Sequence, residues 1–150
     1  MYERGQVEFH DQFLPEFREF SDSVRRHIYH LIEMLVVFGP QLGRPQVDTL
    51  KGSRHTNMKE LRFHADSGAW RVAFAFDLKR RAVLLVGADK AGVSQSKFYR
   101  DLIEIADRRF AMHQAATSKG QREQWEFHTN KFLPWNRESF SCRSSGGQLN

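Results

Sequence analysis

Apolar residues recur along this chain in two rhythms, one of helical spacing between residues 13 and 38 and one of short runs between 58 and 88. Gln6-Val-Glu-Phe-His10 alternates and predicts a short strand. Phe13, Phe17 and Phe20 follow at helical spacing. Pro15 suits a first turn, where its missing N–H has no bond to lose, so a short helix is expected to begin at about residue 14. Ser21, Asp22 and Ser23 offer caps for a second helix. Its stripe is Val24, Ile28, Leu31, Leu35 and Phe38, widened by Ile32, and Gly39-Pro40 ends it.

Residues 41–56, punctuated by glycine and proline, predict a long loop that carries cations. Three apolar runs then follow at 58–63, 69–76 and 82–88, separated by Ala-Asp-Ser-Gly and Asp-Leu-Lys-Arg-Arg, which predicts a three-stranded meander. Strand side chains alternate, so Met58, Glu60 and Arg62 share one face and Lys59, Leu61 and Phe63 the other. In the next run Trp70, Val72, Phe74 and Phe76 form a bulky face, while Arg71 stands among Ala69, Ala73 and Ala75. A cation among alanines leaves room for something flat and charged, and this sheet reads as the floor of an anion site. Ser94 or Ser96 caps a third helix running to about residue 113, with Phe98, Leu102, Ile105 and Ala106 inward and Asp101, Glu104, Arg108 and Arg109 outward. The expected architecture is α+β: two N-terminal helices on a small twisted antiparallel sheet, closed by a C-terminal helix. Past Ala116 the periodicity fails, so residues 1–115 read as one domain and 116–150 as a disordered or loosely packed tail.

Composition adds constraints. The chain has 150 residues, enough for one domain with a real core, and 40% hydrophobic with 27% charged residues is ordinary for a soluble protein. Cys142 is the single cysteine, so no intrachain disulfide forms and a reducing compartment is expected. No apolar run approaches the roughly 20 residues of a membrane span. The N-terminus has no apolar signal core, so a cytoplasmic protein without membrane partner is expected. His27 and His30 lack an evident third ligand, and no glycine-rich phosphate loop appears, so neither metal nor cofactor is expected.

Net charge is +5, unevenly spread: −3 over residues 1–43 and +7 over 44–100. That positive stretch coincides with the loop and meander and favours a polyanion, nucleic acid before others. Leu42-Gly-Arg-Pro-x-Val-Asp-Thr-Leu-Lys-Gly-Ser-Arg-His-x-Asn-Met-Lys-Glu-Leu-Arg62, Trp70-Arg-Val-x-Phe-Ala-Phe-Asp77 and Leu84-Leu-x-Gly-x-Asp-Lys-x-Gly92 together resemble the RelE/HigB superfamily of bacterial type II toxins, in its phage-associated HigB-like branch. The likeness covers about residues 6 to 113.

The resemblance implies a metal-independent endoribonuclease that cuts messenger RNA, often on the ribosome, through attack of a 2′-OH on the adjacent phosphate. It implies a neutralising partner, a helix-turn-helix antitoxin of HigA type. Relatives of the same fold poison DNA gyrase instead, and a degenerate RNA-binding relative is the third alternative. Arg71 matches the family's phosphate-clamping arginine. Arg62 reaches the same phosphate or pairs with Glu60 on the surface. Lys90 lies where the family places a cation at the leaving group, and Tyr99 corresponds to a tyrosine used for base stacking or proton transfer, or else packs in the core. His55 and Asp89 fill two of the places HigB enzymes give to acid–base residues, although no histidine follows Asp89. His55 is the best-placed imidazole, with plain solvation as its alternative. Lys51, Arg54, Lys59 and Lys97 are the cations expected to bind the RNA backbone.

Overall fold

The computed structural model of the chain describes residues 5–118. In chain order the elements are β1 (Gln6–Phe9), α1 (Phe13–Arg18), α2 (Asp22–Phe38), a single 3-10 turn (Gly39–Gln41), β2 (Val47–Thr49), β3 (Met58–Ala65), β4 (Gly68–Phe76), β5 (Arg81–Asp89) and α3 (Gln95–Ser118). The expected tail lies almost wholly outside the described residues, and α3 itself runs to Ser118, past the end predicted for it.

Local chemistry fixes these elements. Ser21 caps α2 by accepting from the Val24 N–H at 3.2 Å, and its hydroxyl donates to Asp66 at 2.5 Å, tying the helix to the β3–β4 hairpin. Gly39 leaves the helix at φ +58°, a left-handed conformation that favours glycine. Asp66 and Ser67 both have positive φ, 53° and 62°, as a two-residue hairpin turn requires. Ser94 is the capping serine of α3, its hydroxyl accepting from the Lys97 N–H at 3.4 Å.

The five strands lie in the order β1-β5-β4-β3-β2. All neighbours are antiparallel except β1, which runs parallel to β5, so the sheet is mixed where a wholly antiparallel one was expected. The 41–56 segment also proves less open than its loop chemistry predicts. Val47–Thr49 forms the edge strand β2, with Val47 opposite Leu61 and buried in the core. Three residues are too few for alternation to reveal.

The sheet has two covered faces. On one, α1 and α2 pack Phe13, Phe17, Ile28 and Leu35 onto Leu61, Val72, Phe74 and Leu84. On the other, α3 packs Phe98, Leu102, Ala106 and Phe110 onto Met58, Ala73, Ala75, Val83 and Leu85. Each such buried large side chain contributes about 1.5–3 kcal/mol through apolar burial. Phe38, expected in the α2 stripe, stands 50% exposed beyond the reach of the sheet.

Ala73 and Ala75 are therefore the bed for α3, not the open floor of an anion site. Small residues there let the helix approach closely, and charge is confined to the two ends of this face, with Arg71 at one and Asp77 at the other.

Candidate functional site

Strand register assembles a charged patch on the α3 face. Arg62 sits directly opposite Arg71, and two residues back along β3 Glu60 sits opposite Ala73 on one side and Asp48 of β2 on the other. Two guanidinium side chains and two carboxylates thus occupy adjacent rows of one face. Like charges directly opposite repel, so each arginine takes a carboxylate neighbour. Arg71 Nε lies 3.9 Å from Glu60 Oε1, and Arg62 Nη1 lies 3.3 Å from Asp48 Oδ2.

Arg71 is 4% exposed and closely held. Its Nε donates to the Tyr99 hydroxyl at 3.2 Å and its Nη1 to the Trp70 carbonyl at 2.9 Å. Glu60 is 5% exposed, and its Oε1 is buried without a hydrogen-bond partner among the described residues. Burial pushes the Glu60 carboxyl above the ordinary range, opposed by the Tyr99 hydroxyl and the charges of Arg71 and Arg62. Burial also raises the Tyr99 phenol, so it keeps its proton at neutral pH.

Lys90 reaches this face because of an irregularity. The β4–β5 register shifts between Ala73 and Phe74, which face Val86 and Leu84, leaving Leu85 as the extra residue. That bulge reverses the alternation of β5, so Ala88 lies opposite Arg71 and Lys90 follows on the same side. The ammonium stands 6.0 Å from the centre of the Tyr99 ring. Arg71, Arg62, Glu60, Tyr99 and Lys90 are thus brought together.

The other expected residues lie elsewhere. Asp89 closes the turn, accepting from the N–H groups of Ala69 and Ala91 at 3.0 and 2.9 Å, and points away from the cluster. His55 packs edge-on against Phe110 at 5.0 Å, three turns or about 16 Å along α3 from Tyr99. The loop around it is stapled to α3 by the buried Asp107, which accepts from Ser53 Oγ at 2.5 Å and from the Arg54 N–H at 3.1 Å. Lys51 and the Arg54 side chain are exposed on that loop. Lys59 projects from the opposite face of the sheet, in register with Phe74. Lys97 is exposed and paired with Asp101 at 2.7 Å. Of the four RNA-binding candidates, none adjoins Arg71 through a described contact.

Asp48 is the site residue that sequence reasoning missed. Its one signal was the Val-Asp-Thr alternation, which a three-residue strand is too short to make legible. Among the described residues no group of three or more histidine, cysteine, aspartate or glutamate side chains could hold a metal ion.

A second buried charged group lies at the far end of the sheet. Asp77 Oδ2 meets His113 Nε2 at 3.0 Å and Arg81 Nε at 3.3 Å, and Arg81 lies 3.9 Å from Glu8. Arg109, expected to face solvent, is instead buried, donating to Glu16 and to the Leu85 carbonyl. These pairs join the helices to the sheet, which a helical wheel does not reveal.

Burial pushes Glu8 up to about 8 from 4.5, and burial with the Arg109 charge pushes His10 down to about 4 from 6.5. Between pH 4.5 and 8 the folded chain holds a Glu8 proton that the unfolded chain has released, so stability falls as pH rises. His10 acts oppositely between pH 4 and 6.5, where the unfolded chain binds the extra proton. Above pH 6.5 Glu8 acts without that opposition. Glu8→Gln is expected to remove a loss of about 2 kcal/mol between roughly pH 6.5 and 8, read as the difference between variant and parent in urea unfolding. Equal slopes for the two proteins would refute it.

Comparison with known proteins now bears on this geometry. A family model described as phage-derived protein Gp49-like matches residues 15–111. A putative toxin HigB2 of Mycobacterium tuberculosis (strain ATCC 25618 / H37Rv) is 45% identical over 89 residues, covering 59% of this chain and 44% of the relative. A putative toxin HigB3 of the same organism is 49% identical over 78 residues, covering 52% and 66%. The chain thus spans between about half and two thirds of the curated relatives it matches. A free-state structure of the E. coli toxin RelE, with two arginines replaced by alanine, aligns with a TM-score of 0.48 at 11% identity, over 67% of this chain and 94% of that one.

Proposed function

Because the chain belongs to the phage-derived Gp49-like family, and the matched residues include the whole charged cluster, we propose that it is the toxin of a toxin–antitoxin pair and a metal-independent endoribonuclease acting on messenger RNA. The expected RelE/HigB kinship supports this reading through two relatives that are themselves named putative HigB toxins. One observation carries the chemistry: a buried carboxylate with an unpartnered oxygen lies beside a guanidinium and a protonated phenol at one end of the sheet.

Those groups suit transesterification. The RNA phosphate takes the place of the Tyr99 hydroxyl on Arg71, whose fork binds two non-bridging oxygens and offsets the charge that builds on phosphorus. Glu60 accepts the proton of the 2′-OH as its oxygen attacks phosphorus in line. The bond to the 5′-oxygen breaks, and that oxygen takes a proton from Tyr99 or from the adjacent Lys90. The products are a 2′,3′-cyclic phosphate and a 5′-hydroxyl, with no oxidant or metal in the balance. A helix-turn-helix antitoxin of HigA type is the proposed partner.

Inducible expression in bacteria with primer extension on a reporter message tests the reading, and purified protein with free and ribosome-bound message tests ribosome dependence. Discrete cuts that vanish in Arg71→Ala support the nuclease. A non-catalytic reading has one observation in its favour, that His55 is packed on Phe110 and leaves the cluster without an imidazole. Growth arrest with intact RNA and trapped gyrase–DNA complexes would point to a protein target; no arrest would point to a relative that only binds RNA.

A further inference from the structure

The ion pairs at the sheet edge go beyond the catalytic cluster. We propose that Arg44 and Arg62 form a second phosphate subsite beside Arg71, and that the Asp48 carboxylate occupies it until an RNA backbone phosphate displaces it. The nuclease reading supplies only the identity of the ligand as RNA.

One oxygen of Asp48 takes both guanidinium groups, Arg44 Nη2 at 2.5 Å and Arg62 Nη1 at 3.3 Å. The other oxygen accepts from the Thr49 N–H at 2.8 Å, which fixes the carboxylate at the edge of the sheet. A carboxylate oxygen shared by two guanidinium groups stands where one non-bridging oxygen of a phosphodiester would be held between them. The Thr49 N–H and then Arg44 hold the Asp48 carboxyl below the ordinary range, so it is an anion throughout the neutral region.

The site is also open. Arg44, Asp48 and Arg62 side chains are 72%, 27% and 31% exposed. Pairs so exposed are weak and screened by salt, and an incoming anion with several negative charges competes well against them. Arg71, in contrast, is buried with its own partners. Arg62 and Arg71 stand directly opposite in the β3–β4 register, with Cβ atoms about 5 Å apart, so neighbouring phosphates of one strand reach both.

Charge gives Asp48 its consequence. Arg44, Arg62 and Arg71 stand against Glu60 and Asp48, so with both carboxylates ionised these five groups offer a polyanion one net positive charge. Neutralising Asp48 adds one further positive charge at the mouth of the cluster. The residue thereby sets how tightly RNA is held and how steeply binding depends on salt.

The test separates binding from cleavage. A fluorescent, fully 2′-O-methylated single-stranded RNA has no 2′-OH to attack, and its affinity is measured by anisotropy across salt concentrations. Asp48→Asn keeps the acceptor for Thr49 and is expected to bind about three- to tenfold tighter at low salt, with a salt slope steeper by about 0.7. Adding Arg44→Gln is expected to cancel the gain. Arg44→Gln alone changes an exposed side chain, so it folds even if Asp48→Asn does not, and it is expected to weaken binding and flatten the slope. Unchanged or weaker affinity in a folded Asp48→Asn variant overturns the subsite, as does unchanged affinity in Arg44→Gln. Cleavage of unmodified RNA alongside unaltered affinities removes the subsite and leaves the nuclease. The predicted affinities without cleavage do the reverse.

Discussion

Arg71→Ala is expected to lower the rate of RNA cleavage about a hundred- to a thousandfold, the range for removing a principal donor to a developing oxyanion. If Arg71 is the proposed phosphate clamp, the loss should fall on kcat more than on KM, because the charge it would offset grows only as the 2′-oxygen closes on phosphorus. Arg71→Lys should recover little: an ammonium is a point charge, whereas a guanidinium fork can bond two oxygens at once and that of Arg71 is already oriented by the Trp70 carbonyl at 2.9 Å. The substitution also removes the cation beside Glu60, whose carboxyl burial already pushes upward. Glu60 then stays protonated more readily, so the fold has a way to absorb the change. Thermal unfolding of the variant separates the two effects. A folded Arg71→Ala protein that cuts at the parent rate would remove Arg71 from the chemistry.

The parts of this fold that could be read in advance are those whose signal is local and repeated. Ser21, the Val24–Ile28–Leu31–Leu35 stripe and Gly39 define α2 from one end to the other, because cap, stripe and stop agree. The three strands of the meander were legible for the same reason: each holds eight or nine residues and is set off by turn chemistry. What could not be read depends on pairing between distant segments. β2 is three residues whose partner lies across a loop. The burial of Arg109 depends on Glu16, far away in sequence. The alanines beside Arg71 looked like space because α3 was not yet laid over them.

The cluster divides along the same line. Glu60, Arg62 and Arg71 follow from strand alternation once the β3–β4 turn is placed. Lys90 reaches them only through the bulge at Leu85, which no alternation pattern announces. His55 is close in sequence to β3, but Asp107 and Phe110 draw its loop to the middle of α3, away from Tyr99. Asp48 depends on a strand too short to see.

Glu60→Gln is the companion experiment, with a loss of about a hundred- to ten-thousandfold if Glu60 takes the 2′-OH proton. An amide keeps the shape and cannot accept that proton. On the proposed chemistry the parent protein should show kcat/KM rising with pH through an apparent pKa above that of an ordinary glutamate, because burial disfavours the charged form. The variant should lose that rising limb while keeping its fall at high pH, where Tyr99 gives up the proton needed by the leaving oxygen. Stability should move the other way. The raised carboxyl holds its proton in the folded chain above the pH at which the unfolded chain releases it, so Glu60 weakens the fold as pH rises, and Gln removes that penalty. A variant that is slower and at the same time more stable at pH 8 marks a buried group held ionisable at a cost to the fold, which packing alone does not require. A variant that is slower with the rising limb intact assigns the proton to another group, and Glu60 is then left with the lesser task of orienting Arg71.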